Sequence, residues 1–102
     1  MLVLVFFFAS LALAPAREVV VACYNLKNYL PMTRKVGGQS LPDQPKPESE
    51  IRAVLGVLHD IAPDILGVVE IGDEKALADF QTRLAAVGLD YTHAEWMQGA
   101  DE

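Results

Sequence analysis

Two short apolar runs constrain this fold most. Glu18 to Tyr24 and Ile65 to Val69 are rich in β-branched residues and run into an oxygen-bearing polar side chain, Asn25 in the first case and Glu70 in the second. Apolar residues on both faces predict strands covered on both sides. The segment before the second run has the pattern of an amphipathic helix. Pro47 suits a first helical position, and Glu48 and Glu50 complement the amino-terminal dipole. Ile51, Val54, Leu55, Leu58 and Ile61 recur at helical spacing, and Pro63 ends the helix. A second helix is expected over Glu74 to Val87, capped by Asp73, lined by Leu77, Phe80, Leu84 and Val87, and stopped by Gly88. Leu89 to Trp96 reads as a third strand, with Tyr91, Thr92 and Trp96 as β-formers. The expected class is α/β in the order β-α-β-α-β. Strand–helix–strand units normally pair their strands in parallel through a right-handed crossover. Neighbouring parallel strands lie about 4.8 Å apart. Asn25 and Glu70 would then emerge at one edge of the sheet, where open α/β sheets bind ligands.

The chain has 102 residues, enough for one small domain. Met1 to Ala14 is apolar except for Ser10, and Ala14-Pro15-Ala16 is a small-x-small pattern. This predicts a secretory signal peptide over residues 1–16, with the mature chain starting at Arg17 and exported to the periplasm or outside the cell. The alternative is a buried first strand or helix. The run falls short of the roughly 20 residues a bilayer needs, so no stable membrane span is expected. Residues 17–102 form the expected domain. Its first part, to Arg52, carries six basic against four acidic residues. The remainder carries two against ten, and the whole chain has a net charge of −6. Such a balance argues against a passive nucleic-acid binder more than against a protein that takes a phosphate through a metal ion. The single cysteine, Cys23, excludes an internal disulfide and reads as a small buried hydrophobe.

Leu26 to Pro47 holds Pro31, Gly37, Gly38, Pro42, Pro45 and Pro47, and reads as a long loop. Its Lys27, Arg34, Lys35 and Lys46 read as solvated loop charges, with the lining of a phosphate site as the alternative. His59 is expected at a helix end and His93 at the border of a strand.

On spacing alone, Glu70 is either a hard-cation ligand or a strand-end surface acid. Mg²⁺ commonly uses one or two protein carboxylates and fills its other positions with water and substrate phosphate. Asn25 is either a donor to a phosphate oxygen, or an aid to another ligand, or a turn residue.

Val20-Val21-Ala22-Cys23-Tyr24-Asn25-Leu26-Lys27-Asn28-Tyr29 resembles the opening strand of the endonuclease/exonuclease/phosphatase superfamily of deoxyribonuclease-like phosphoesterases. Pro63-Asp64-Ile65-Leu66-Gly67-Val68-Val69-Glu70-Ile71 is similar to its second motif, where Pro-Asp leads into a strand ending in the metal-binding Glu. The pair, in order and with a helix between, is more specific than either motif. The resemblance implies the amino-terminal part of a four-layer α/β sandwich. It also implies Mg²⁺- or Mn²⁺-dependent hydrolysis of a phosphoester: nucleic acid, a phospholipid headgroup or a small phosphate ester. Glu70 would match the metal ligand. Asn25 would match the residue that positions phosphate and catalytic partners, itself close to the metal.

The pattern departs from the family in places. Val69 stands where many members carry Gln, and Lys27 where some carry an acid or amide. The family's later acid-x-Asn, Gly-Asp-Phe-Asn-like and Asp-His segments have no match in these 102 residues. The expectation is therefore an amino-terminal fragment, with no turnover from these residues alone. The competing expectation is a non-catalytic α/β interaction module, or a translated remnant.

Overall fold

The computed structural model describes residues 16–99. Apart from Ala16, the stretch read as an export signal lies outside the described residues. Six elements follow in order: β1 (Val21–Asn25), β2 (Met32–Val36), β3 (Gln39–Gln44), α1 (Glu48–Ile61), β4 (Ile65–Val69) and α2 (Glu74–Ala86). The class is α/β. No helix among the described residues is long and apolar enough to cross a membrane.

Strands β1 and β4 pair in parallel, with Val21 opposite Ile65 and Asn25 opposite Val69. Their ends are tied by more than the ladder. At the start, the Asp64 carboxylate accepts the Val20 N–H at 2.9 Å and the Arg17 guanidinium at 2.7 Å. These bonds, the Val20 amide first, hold the Asp64 carboxyl below its usual range. Beyond the other end, the Leu26 and Tyr29 N–H groups donate to the carbonyls of Val69 and Glu70.

The core lies on one face of this pair. Leu26, Tyr29, Ile51, Leu58, Ile71, Ala76, Phe80 and Leu84 are buried together, and Tyr24, Leu66 and Val68 pack against them. Phe80, Leu26 and Leu58 are the largest fully buried side chains. Each contributes roughly 1.5–3 kcal/mol by leaving water. The Tyr29 and Phe80 rings meet edge to face at 5.2 Å.

Among the described residues the opposite face is open, so the expectation of strands covered on both sides is not met within them. Both strands alternate exposed and half-buried residues. Val21, Ile65 and Val69 stay largely exposed. Cys23 lies on the same open side and is exposed rather than buried. Successive side chains of a strand point to opposite faces, and the described helices supply apolar partners for one face only. Ile61, expected in the apolar stripe of α1, is also exposed, at the helix's last residue.

The expected long loop contains a hairpin. Strands β2 and β3 pair antiparallel, with Val36 opposite Gln39. Gly37 and Gly38 form the two-residue connection, at φ 58° and 82°. A type I′ turn requires positive φ at both positions, and glycine adopts it without a steric penalty. The register slips between Met32 and Arg34. Opposite that slip are Pro42, which has no N–H to offer, and Asp43 at φ 53°.

The helices follow the sequence closely. Pro47 stands at the N-cap of α1 with ψ 133°, one position earlier than expected. The helix ends where Ala62 turns left-handed, at φ 47°, and returns its N–H to Leu58. Asp73 caps α2 by accepting the Ala76 N–H at 2.8 Å, and Gly88 follows the helix at φ 89°. Arg83 of α2 reaches α1 through a two-pronged pair with Glu48, at 2.8 and 2.9 Å. That pairing holds the Glu48 carboxyl below its usual range.

The third strand does not form. Leu89 to Trp96 runs beside β4 without a backbone ladder. Its side chains hold it there instead. The Tyr91 hydroxyl donates to the Pro63 carbonyl, and the Trp96 indole N–H donates to the Gly72 carbonyl at 2.9 Å. A cleft of about 760 Å³ remains along β4, lined by Leu66, Val68, Phe80, Leu84, Tyr91 and Trp96 among others. Tyr91 and Trp96 are β-formers, yet here they line this cleft and bond through their polar tips to carbonyls on either side of β4.

Candidate functional site

Asn25 ends β1, and Glu70 is the first residue after β4. Because the strands are parallel and in register, both side chains arrive at the same edge. The Asn25 amide Nδ2 lies 3.4 Å from Glu70 Oε1. At that length the hydrogen bond is weak, so Oε1 keeps most of its accepting capacity. The second oxygen, Oε2, accepts the Asn28 backbone N–H at 3.1 Å. Glu70 is exposed.

The turn after β1 shapes the site. Asn25 Oδ1 accepts the Lys27 N–H at 2.8 Å, which closes an Asx-turn. This bond fixes the amide's orientation, so its NH₂ group faces Glu70. Lys27 and Asn28 then both turn left-handed, at φ 50° and 60°. Asn tolerates that region, but Lys does not do so readily. Glu70 itself sits at φ 58°. Three non-glycine residues in this region, at about 1–3 kcal/mol each, cluster around one carboxylate. Strain held in one place by surrounding hydrogen bonds is a feature of sites that must keep a set geometry.

Among the described residues, no three of His, Cys, Asp and Glu gather as candidate metal ligands. The site offers one carboxylate with an accessible oxygen and one amide donor beside it. That donor set fits a hard cation that takes a single protein carboxylate and completes its shell from water and phosphate. A further metal contact from Asn25 would use the remaining lone pair of Oδ1, since the Lys27 N–H takes the other. The two histidines lie elsewhere. His59 contacts Asp60, and His93, with no strand beside it, contacts Glu95. The apolar cleft along β4 is lined by neither Asn25 nor Glu70.

No family model, curated protein or solved structure matches the chain.

Three contributors to the site were not given this role in the sequence reading. The Asn28 N–H is the closest donor to Glu70. Arg34 and Lys46, read as solvated loop charges, are instead engaged with backbone. Lys46 is only 5% exposed, and its Nζ donates to the Lys27 carbonyl at 3.2 Å and to Glu50 Oε2 at 2.9 Å. Arg34 donates to the carbonyls of Asn28, Leu30 and Gln44. A signal was present in the sequence. Val36-Gly37-Gly38-Gln39 is a two-residue hairpin turn between potential strands, and a hairpin carries Arg34 and Lys46 back toward the end of β1. Lys27 and Lys35 are exposed, as expected of loop charges.

Proposed function

We propose that this chain carries part of the site of a divalent-metal-dependent phosphoester hydrolase, nuclease-like or phosphatase-like. The single observation that carries the reading is the meeting of Asn25 and Glu70 at one edge of the β1–β4 pair, 3.4 Å apart. Glu70 would hold Mg²⁺ or Mn²⁺ through its accessible Oε1. The Asn25 NH₂ would orient that carboxylate and donate to a phosphate oxygen. The left-handed turn would keep both groups in place without rearrangement when substrate arrives. When bound, the metal would polarise a phosphoryl oxygen and stabilise charge developing on it. The two motifs, Val20 to Tyr29 and Pro63 to Ile71, support placement in the endonuclease/exonuclease/phosphatase superfamily. In that superfamily the open face of β1–β4 would be covered by further layers of a four-layer sandwich. The apolar run Met1 to Ala14 followed by Ala14-Pro15-Ala16 supports export.

The test is Mn²⁺ binding to the whole chain by titration calorimetry. Wild type is expected to bind one ion. Glu70→Gln keeps the shape but removes the charge, and is expected to weaken binding more than tenfold, about 1.4 kcal/mol. Circular dichroism should be unchanged. Equal Mn²⁺ affinity in the two proteins would sink the assignment of Glu70.

A second reading rests on a different observation. Val21, Ile65 and Val69 leave an apolar sheet face exposed. That supports an interaction module whose partner covers the face, and absence of metal binding in wild type would favour it.

A further inference from the structure

The hairpin brings two cations to one dipeptide. Lys27 and Asn28 are the two consecutive left-handed residues after β1. All four of their backbone polar groups are engaged. The N–H groups face the site, Lys27 to Asn25 Oδ1 and Asn28 to Glu70 Oε2. The carbonyls face away from it, and each accepts from a cationic side chain. Lys46 takes the Lys27 carbonyl and Arg34 takes the Asn28 carbonyl.

Lys46 is the informative member. Lysine is almost never this buried unless it is paired. Glu50, in the first turn of α1, neutralises it, and the other hydrogen bond of Lys46 goes to the Lys27 carbonyl, 19 residues earlier. The Glu50 carboxyl is held below its usual range, chiefly by the hydrogen bond it accepts from Lys46. An apolar side chain would tie the hairpin's end to α1 at lower desolvation cost. What an apolar residue cannot do is hold the carbonyl of a strained residue. Arg34, on β2, complements it with a planar fork that spans the carbonyls of Asn28, Leu30 and Gln44.

We infer that Lys46 and Arg34 are positioning residues. Together they clamp the Lys27–Asn28 turn so that the Asn28 N–H fixes the Glu70 carboxylate. This deepens the hydrolase reading and rests on it for its functional meaning. The clamp itself can be measured without metal.

The experiment follows hydrogen exchange of the Asn28 amide by nitrogen–proton NMR in the metal-free whole chain at one fixed pH. In wild type the Asn28 amide is expected to exchange more slowly than an open loop amide, because it is hydrogen-bonded to Glu70. Lys46→Met keeps the apolar stem and removes the donor. It is expected to speed exchange at Asn28 by roughly tenfold or more, while the amides of α2 keep their wild-type rates. Lys46→Arg, which retains a donor and the charge, should restore the protection. Arg34→Met, at a less buried position, is the second arm and covers the case in which Lys46→Met fails to fold. It is expected to show the same loss. If the folded methionine variants keep the full wild-type protection at Asn28, the clamp is refuted.

Adding Mn²⁺ to the same samples separates this inference from the hydrolase reading. Selective broadening around Glu70 in wild type, requiring roughly tenfold more Mn²⁺ in the methionine variants, supports both. No broadening in wild type, with the Asn28 protection still lost in the variants, rejects the metal and keeps the clamp.

Discussion

Ala62 shows how a single residue can sit in a conformation its side chain resists. It ends α1 at φ 47° and ψ 58°, a position that glycine fills in most helices that end this way. Ala62→Gly should stabilise the protein by roughly 0.5–1 kcal/mol, since relief of the left-handed backbone exceeds the added freedom of the unfolded chain. Urea unfolding checks this, and a lowered midpoint would count against it. The left-handed residues near Glu70 differ in kind, because Asn28, Lys27 and Glu70 are held there by bonds to the site. At this scale the sequence was informative in part. Asn25 and Glu70 could be placed at one edge from the strand pattern alone. The Asn28 N–H could not, because a backbone donor has no signature in residue type. Nor could Lys46, because burial of a lysine depends on partners 4 and 19 residues away.

Among the elements, both helices and the parallel pair were legible. Apolar spacing and cap residues are local signals, and they agree with the packing. The failures were β2–β3 and the segment after α2. Prolines at 42 and 45 obscured a hairpin that the Gly-Gly turn sets, and aromatic β-formers suggested a strand where side-chain hydrogen bonds, without a backbone ladder, hold the segment beside β4. The cap of α2 gives a direct check. Asp73→Ala removes the acceptor for the Ala76 N–H and should cost about 1 kcal/mol in denaturant unfolding; an unchanged midpoint would mean the cap contributes nothing. Gly72, between β4 and α2, has less room for change. At φ 101°, an added Cβ would lie 2.7 Å from the Leu30 Cβ. Gly72→Ala should therefore destabilise by at least about 1–3 kcal/mol, through overpacking and backbone strain together. A variant as stable as wild type would show that the turn relaxes freely.

Among the described residues as a whole, three carboxyls are held below their usual range: Glu48 by Arg83, Glu50 by Lys46 and Asp64 by the Val20 amide and Arg17. A depressed native value means that stability is complete above the ordinary carboxyl range, about pH 4, and drains as pH falls through the lower native values. The melting temperature should thus drop between about pH 5 and pH 2, and Arg83→Met should make that drop shallower. A melting temperature flat across the interval would contradict the role of these pairs. Cys23, on the open face of β1–β4, should react with a thiol reagent in the native protein without waiting for unfolding. Slow, unfolding-limited labelling would mean that something covers that face in solution.

The indole of Trp96 is the chain's only one. Its N–H rests on the carbonyl of Gly72, two residues beyond Glu70, while its ring packs against the core. Its emission therefore comes from a single known position, adjoining the turn that carries the carboxylate. Any event that loosens that turn changes the polarity around one fluorophore and no other tryptophan. The molecule holds its own optical gauge of that edge, and no label has to be attached to read it.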